Sequence, residues 1–510
     1  MKSILTKLVI STLAGGLWLA GFTVWAAPGW NFVPQKGQLR ESLEKADWQQ
    51  AFAQWQVHYA STAYAESMDG KALAAFLLIK NGMPTLGFET LFQVKNPGQI
   101  ATDLKSYLRY ELSPENPLWV HADYKWKREW QSVFGEDLEQ RRLALKNATL
   151  KTAKEFKAAE ALLSRTKANT PEWARLQWQL AVSRAIENQV GQSAKHFRAL
   201  LNSKQNTIGR DQIVMALGRV EFQTGRFDEA LNVYGMVGKS SDYWLEALEE
   251  KAWTHIRKND YRKALAELQT VLSPVFALEL GPEPYFVSSF ANLKICDFQS
   301  IFKNHDLFKD RYRTRVTELQ NLARTGQSPA LTTALERLRG GASRWSELGP
   351  DVEKLPRFLH RDQEIASLVA RARSLSSERV QLSNLSAQIE SDYSAVQLNS
   401  QLGGKLASID AKLASIQAAT TKRVKRLAEN DVAEIARILN KFHLVEAESI
   451  QRLHIYAKES ERAKTEFEDK GDEDRIVFPQ DGEVWLDELD NYQVNATGCP
   501  QSPKMAKKGE

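Results

Sequence analysis

The stretch GRFDEALNVY, Gly225 to Tyr234, returns in altered form 34 residues later. Phe227 maps onto Tyr261, Ala230 onto Ala264 and Leu231 onto Leu265. Gly218 upstream maps onto Ala252, and Val237 downstream maps onto Val271. A unit of this length is a pair of antiparallel helices, which cannot bury its apolar face alone and must stack on further copies. The residue types suit that geometry. Gly218 and Ala230 are small where two helices must cross closely, as are Ala252 and Ala264. Phe227 and Tyr261 open the second helix of each pair and plug the gap to the next. Thr224-Gly225 and Lys258-Asn259 supply the tight turns.

Thirty-four is the period of the tetratricopeptide repeat. The clearest copies run over 211–244 and 245–278. Weaker ones flank them: PYFVSSFANLKICDFQSIFKN from Pro284, with Phe298 at the helix-opening position, and PEWARLQWQLAVSRAIENQVGQSAKHFRALL upstream. Near the N-terminus ADWQQAFAQWQVHYA and GKALAAFLLIKNGMPTLGFETLF read the same way. The expectation is an all-α chain whose tetratricopeptide-like solenoid occupies 27–345, with a non-repeat insert at about 95–165. Gly and Pro in LRGGASRW and ELGPDVEKLP place a boundary near 340–356.

Beyond it the period changes to seven. Leu368, Leu375, Leu382, Ile389 and Val396 form a seam, with Ile365, Ala372 and Tyr393 at the complementary positions. Arg379 and Ser386 weaken it. Leu402, Leu406, Ile409, Leu413 and Ile416 start a second seam. Residues 346–465 are therefore expected to form a coiled coil or long helical hairpin. Gly403-Gly404 is read either as its turn, which is preferred, or as a kink in one rod. Residues 466–510 combine a charged linker with a short, extended, aromatic docking tail around IVFPQDGEVWLDELDNYQV.

The chain has 510 residues, too many for one ordinary core. Its 68 basic and 63 acidic residues leave a formal charge of +5, and no bulk field argues for nucleic acid. Lys2 and Lys7, the apolar run LVISTLAGGLWLAGFTV and the small residues before Pro28 read as a signal peptide over 1–26, so a periplasmic, envelope-associated location is expected. An uncleaved anchor helix is the alternative. Cys296 and Cys499 are the two cysteines, so one bridge is open to an exported chain; two unrelated thiols are the other reading.

Catalytic signatures are absent: no H-E-x-x-H, phosphate loop or nucleophile elbow. No enzyme, cofactor or metal is expected. Recognition is the better expectation. The first helices of the two clear repeats should present Arg219, Phe222, Gln223, Glu249, Trp253 and Arg257 to a groove that binds envelope proteins. Two further patches are weighed. Lys422, Arg423, Lys425 and Arg426 would meet acidic headgroups or an acidic partner, or simply form the wet face of a coiled coil. Trp119, Trp126 and Trp130, amid Lys125, Lys127 and Arg128, would bind glycan or pack in the insert.

The stretches SSDYWLEALEEKAWTHIRKNDYRKALAELQTVLSPVF (240–276) and VFPQDGEVWLDEL…YQV…GC (477–499) resemble exported tetratricopeptide proteins of gliding and predatory bacteria, similar to adventurous gliding motility protein T. The resemblance implies a non-enzymatic envelope component in a gliding-type multiprotein assembly; the heptad rod, for its part, is expected to set spacing or to self-associate. A peptidoglycan-binding or cell-wall-coordinating protein is the alternative.

Overall fold

A computed structural model describes residues 29–34, 38–111, 128–130, 133, 150–203, 208–277, 279–393, 398–462, 489–494 and 499. The leader read at 1–26, Trp119, Trp126, Val396 and most of the expected tail lie outside them. Eighteen α-helices and no strand occur among the described residues. In chain order they are α1 (Leu39–Glu44), α2 (Trp48–His58), α3 (Ala63–Glu66), α4 (Met68–Lys80), α5 (Pro84–Leu91) and α6 (Thr102–Glu111). Next come α7 (Ala153–Arg165), α8 (Pro171–Ile186), α9 (Val190–Leu201), α10 (Arg210–Gln223), α11 (Phe227–Tyr234), α12 (Trp244–Arg257) and α13 (Tyr261–Val271). The chain continues with α14 (Glu283–Ile295), α15 (Phe298–Thr325), α16 (Pro329–Gly340), α17 (Gln363–Tyr393) and α18 (Leu398–Arg462). No helix among the described residues is long and apolar enough to cross a membrane.

The repeat is visible in the backbone. Helices α10 and α12 start and end 34 residues apart, and α11 and α13 start 34 apart, at Phe227 and Tyr261. Gly225 and Asn259 hold the same left-handed turn between the two helices of each pair, at φ of 77° and 61°. These are the residue types for which that conformation costs least. Asn188 and Cys296 occupy it in the turns of α8–α9 and α14–α15. Successive helices pack on one another from α8 to α15, as an α-solenoid requires. Ala230, Ala252 and Ala264 are fully buried at the crossings. At Gly218 a Cβ would lie 2.3 Å from Tyr234 Cε1, so only glycine lets that ring lie against α10.

Helices α17 and α18 pack against each other and then back onto both ends of the array. Leu368, Leu375, Leu382, Ile389, Leu402, Ile409 and Ile416 join an N-terminal core around Phe52, Phe76 and Phe88. Ile365, Val424, Ala428, Ile438 and Phe442 join the larger core of the repeats. The expected heptad seam is thus covered by the chain's own helices. Arg379 leaves it and pairs with Asp410 across the hairpin at 2.7 Å. Ser386 stays in it, its hydroxyl donating to the Leu382 carbonyl at 2.7 Å.

The preferred reading of Gly403-Gly404 as the hairpin turn is corrected: both lie inside α18, which begins at Leu398. Each glycine costs a helix interior about 1 kcal/mol. Burial of Leu402, Ile409 and Ile416 on one face of the same helix offsets that cost.

Glu378, 1 % exposed on α17, accepts the N–H groups of Thr85 at 2.9 Å and Leu86 at 3.1 Å. These are orphan donors at the start of α5, where a carboxylate also complements the helix dipole. The tail docks on the repeats. Leu489 is buried, its carbonyl accepts from Lys239 at 2.8 Å, and the Asp490 N–H donates to Thr270 Oγ1 at 2.8 Å. Cys499 is disulfide-bonded to Cys296, with Cα atoms 5.0 Å apart.

Candidate functional site

Glu246, Glu249 and Glu250 recur at helical spacing and stand on one face of α12. The facing wall is the segment between α16 and α17, a run of short 3-10 turns at Trp345–Glu347, Val352–Lys354 and Leu359–Arg361. It carries Arg357 and Arg361 into the groove. Arg361 donates to Glu246 at 2.6 Å and to the Asp242 carbonyl, and lies 4.2 Å over the Tyr243 ring. The Arg357 N–H donates to Asp431 at 2.8 Å, and its guanidinium is 3.5 Å from Glu434. That guanidinium fills the space where a Cβ on Gly281 would sit.

Arg315 of α15 holds the segment from behind, donating to the Glu353 carbonyl at 2.8 Å and the Leu355 carbonyl at 3.1 Å. The segment is therefore a strap, pinned by side chains of α12, α15 and α18.

The pocket under the strap has more acids than bases. Asp242, Glu246, Glu249, Glu250, Glu279 and Glu283 line it with Arg219, Arg357 and Arg361. Glu249 is shifted the most. Burial pushes its carboxyl up to about 8; Arg357 opposes the rise, while Glu283, Glu250 and Glu246 add to it. Glu279 is also raised, by burial and then by Asp242. His360, on the strap, is pushed down to about 4 by burial and then by Arg361, and neither ring nitrogen has a partner. Chemically this is a carboxylate-lined groove in which Glu246 and Glu250 already hold guanidinium groups of the same chain.

The six residues expected to line one groove divide into two sets. Arg219 and Glu249 belong to this pocket, Arg219 pairing with Glu250 at 2.7 Å and Glu246 at 3.8 Å. The others contact neighbouring repeat elements. Trp253 packs on Phe286 at 6.2 Å between centroids. Phe222 and the Arg257 guanidinium each approach the Phe227 ring at 5.7 Å. Gln223 donates to Asn188 at 3.3 Å.

Of the two further patches, Arg423, Lys425 and Trp130 are engaged within the chain, and Trp119, Trp126, Lys125 and Lys127 lie outside the described residues. Arg423 pairs with Asp362, Nε to Oδ1 at 3.1 Å, and Lys425 donates to the Arg324 carbonyl at 2.8 Å. Lys422 and Arg426 stay exposed. Trp130 is 1 % exposed, edge-on to Phe92 at 4.9 Å.

Arg357 and Arg361 were not found from the sequence, which placed them just past the boundary near 340–356, inside the expected coiled coil. The available signal was weak: two arginines one helical turn apart in LPRFLHRD, with acids at the same spacing in LEALEE. Away from the groove, His305, His443 and Glu446 have metal-ligand proximity. No family model, curated protein or solved structure matches the chain.

Proposed function

We propose that this chain is a non-enzymatic periplasmic scaffold whose helical-pair array binds a basic segment of an envelope protein in the acidic groove of α12. The observation that carries this reading is the occupant already there. Arg361 lies against Glu246, the Asp242 carbonyl and the Tyr243 ring. Those are the contacts that a partner's arginine would make. The carboxylates of Glu246 and Glu250 already hold guanidinium groups of the chain itself, the charge that a basic segment would bring. A partner's segment exchanges with the strap, so binding is coupled to strap release. The sequence resemblance extends the proposal to tetratricopeptide repeats and to a gliding-type envelope assembly.

The test is in-cell crosslinking of the tagged full chain, with mass spectrometry of the products. Wild type is compared with Arg361→Ala, which loosens the strap, and Glu246→Arg/Glu250→Arg, which reverses the groove's charge. The expected result is a small set of envelope proteins, enriched by the first variant and lost in the second. Identical products from all three chains, or cell-wall fragments alone, would overturn the reading; the latter would favour wall binding.

A further inference from the structure

His305 on α15 and the pair His443 and Glu446 on α18 meet where the two helices pack. One donor atom from each lies within 4.8 Å of the other two. His305 Nδ1 is paired with Glu446 Oε1, and His443 Nδ1 is 3.8 Å from Glu446 Oε2. His443 and Glu446 are three residues apart, so one helical face presents both.

The His305 ring is 3 % exposed and stacked on Phe442, with centroids 4.9 Å apart and planes at 8°. That stacking fixes its direction. His443 stands edge-on to it at 5.5 Å, and its side chain is 59 % exposed. One wall of the cluster is thus rigid and one is open to solvent. Lys309, the nearby cation on α15, is paired with Asp306 at 2.8 Å.

From this geometry we propose a divalent transition-metal site of Zn2+ type, held by His305 Nδ1, His443 Nδ1 and a Glu446 oxygen. Two imidazole nitrogens and one carboxylate suit zinc, copper or nickel rather than magnesium or calcium. With Zn–N bonds of about 2.1 Å, two ligand atoms on one tetrahedral ion sit roughly 3.4 Å apart. To reach that spacing the Glu446 carboxylate backs away from His305 Nδ1, with which it is paired, and the exposed His443 side chain turns inward. Three protein ligands leave a fourth position for water. The bound ion cross-links α15 to α18 and clamps the long helix onto the repeats. The ligating form of each imidazole is the neutral one, so protons compete with the ion for these nitrogens.

The test uses the full chain, stripped with chelator, and Zn2+ alone as the probe. Titration calorimetry and bound-metal analysis should give one equivalent per chain. His443→Ala and Glu446→Gln should weaken binding at least about tenfold. His454→Ala, an exposed histidine further along α18, should leave it unchanged. Zn2+ should raise the Tm of wild type and not that of His443→Ala. Co2+ in place of Zn2+ should give visible d–d absorption that His443→Ala abolishes. His443 is exposed, so its removal leaves the fold intact, which circular dichroism checks. No saturable binding, or equal binding by wild type and His443→Ala, would overturn the site.

Discussion

Arg361 and Glu246 are separated by 115 residues of chain and by 2.6 Å in space. This ion pair joins the strap to the first helix of a repeat. It fills a groove that would otherwise stand open. The strap's other anchors, Arg315 and Asp431, come from helices outside the clearest repeats.

Arg361→Ala should free the C-terminal part of the strap. It leaves Glu246 with only Arg219, at 3.8 Å, and the Asp242 carbonyl without this donor. Loss of such a charge-assisted contact costs about 1–3 kcal/mol. Limited trypsin digestion should cut faster at Arg357 in the variant. Arg361→Lys should fall between the two, because an ammonium cannot reproduce the planar fork. Equal cleavage of all three chains would show that the strap is held elsewhere.

Glu249 should make the chain less stable as pH rises. Its folded-state pKa, about 8, lies above the ordinary 4.5. Between those values the folded chain holds a proton that the unfolded chain has released. Stability from this group is therefore present in acid and lost as pH climbs towards 8. Glu249→Gln removes the dependence. Urea midpoints at pH 5 and pH 8.5 should differ less for the variant than for wild type; an unchanged difference would count against a protonated Glu249.

Gly218→Ala should destabilise despite the better helix propensity of alanine. The added Cβ would meet Tyr234 Cε1 at 2.3 Å, and Tyr234 is 1 % exposed with nowhere to withdraw. Overpacking costs about 1–3 kcal/mol, against roughly 1 kcal/mol gained from propensity. In a double-mutant cycle, Tyr234→Leu should relieve much of the cost. Alanine already occupies the equivalent position, Ala252, one repeat later.

Cys296→Ala/Cys499→Ala should release the docked tail. The bridge joins residues 203 apart, so its loss frees a long loop in the unfolded chain and costs about 2–4 kcal/mol. Hydrogen exchange should rise first at Asp490, whose N–H donates to Thr270. Protection there equal to wild type would mean that Leu489 and Lys239 hold the tail without the bridge.

What the sequence determined by itself is local or periodic. Spacing of 34 between Phe227 and Tyr261 located the helix pairs, because stacking copies must repeat their small and aromatic contacts. Turn chemistry located Gly225 and Asn259, since few residues tolerate a left-handed backbone. Spacing of seven located the buried face of α17. Tertiary structure alone decided what covers that face and what fills the groove. A heptad seam specifies apolar contact without naming the partner, and here the partner is the array itself. Arg361 and Glu246 attract through space, and His305, His443 and Glu446 meet where two helices pack. Charge and metal-ligand proximity have no period along the chain, so only the folded arrangement brings those groups together.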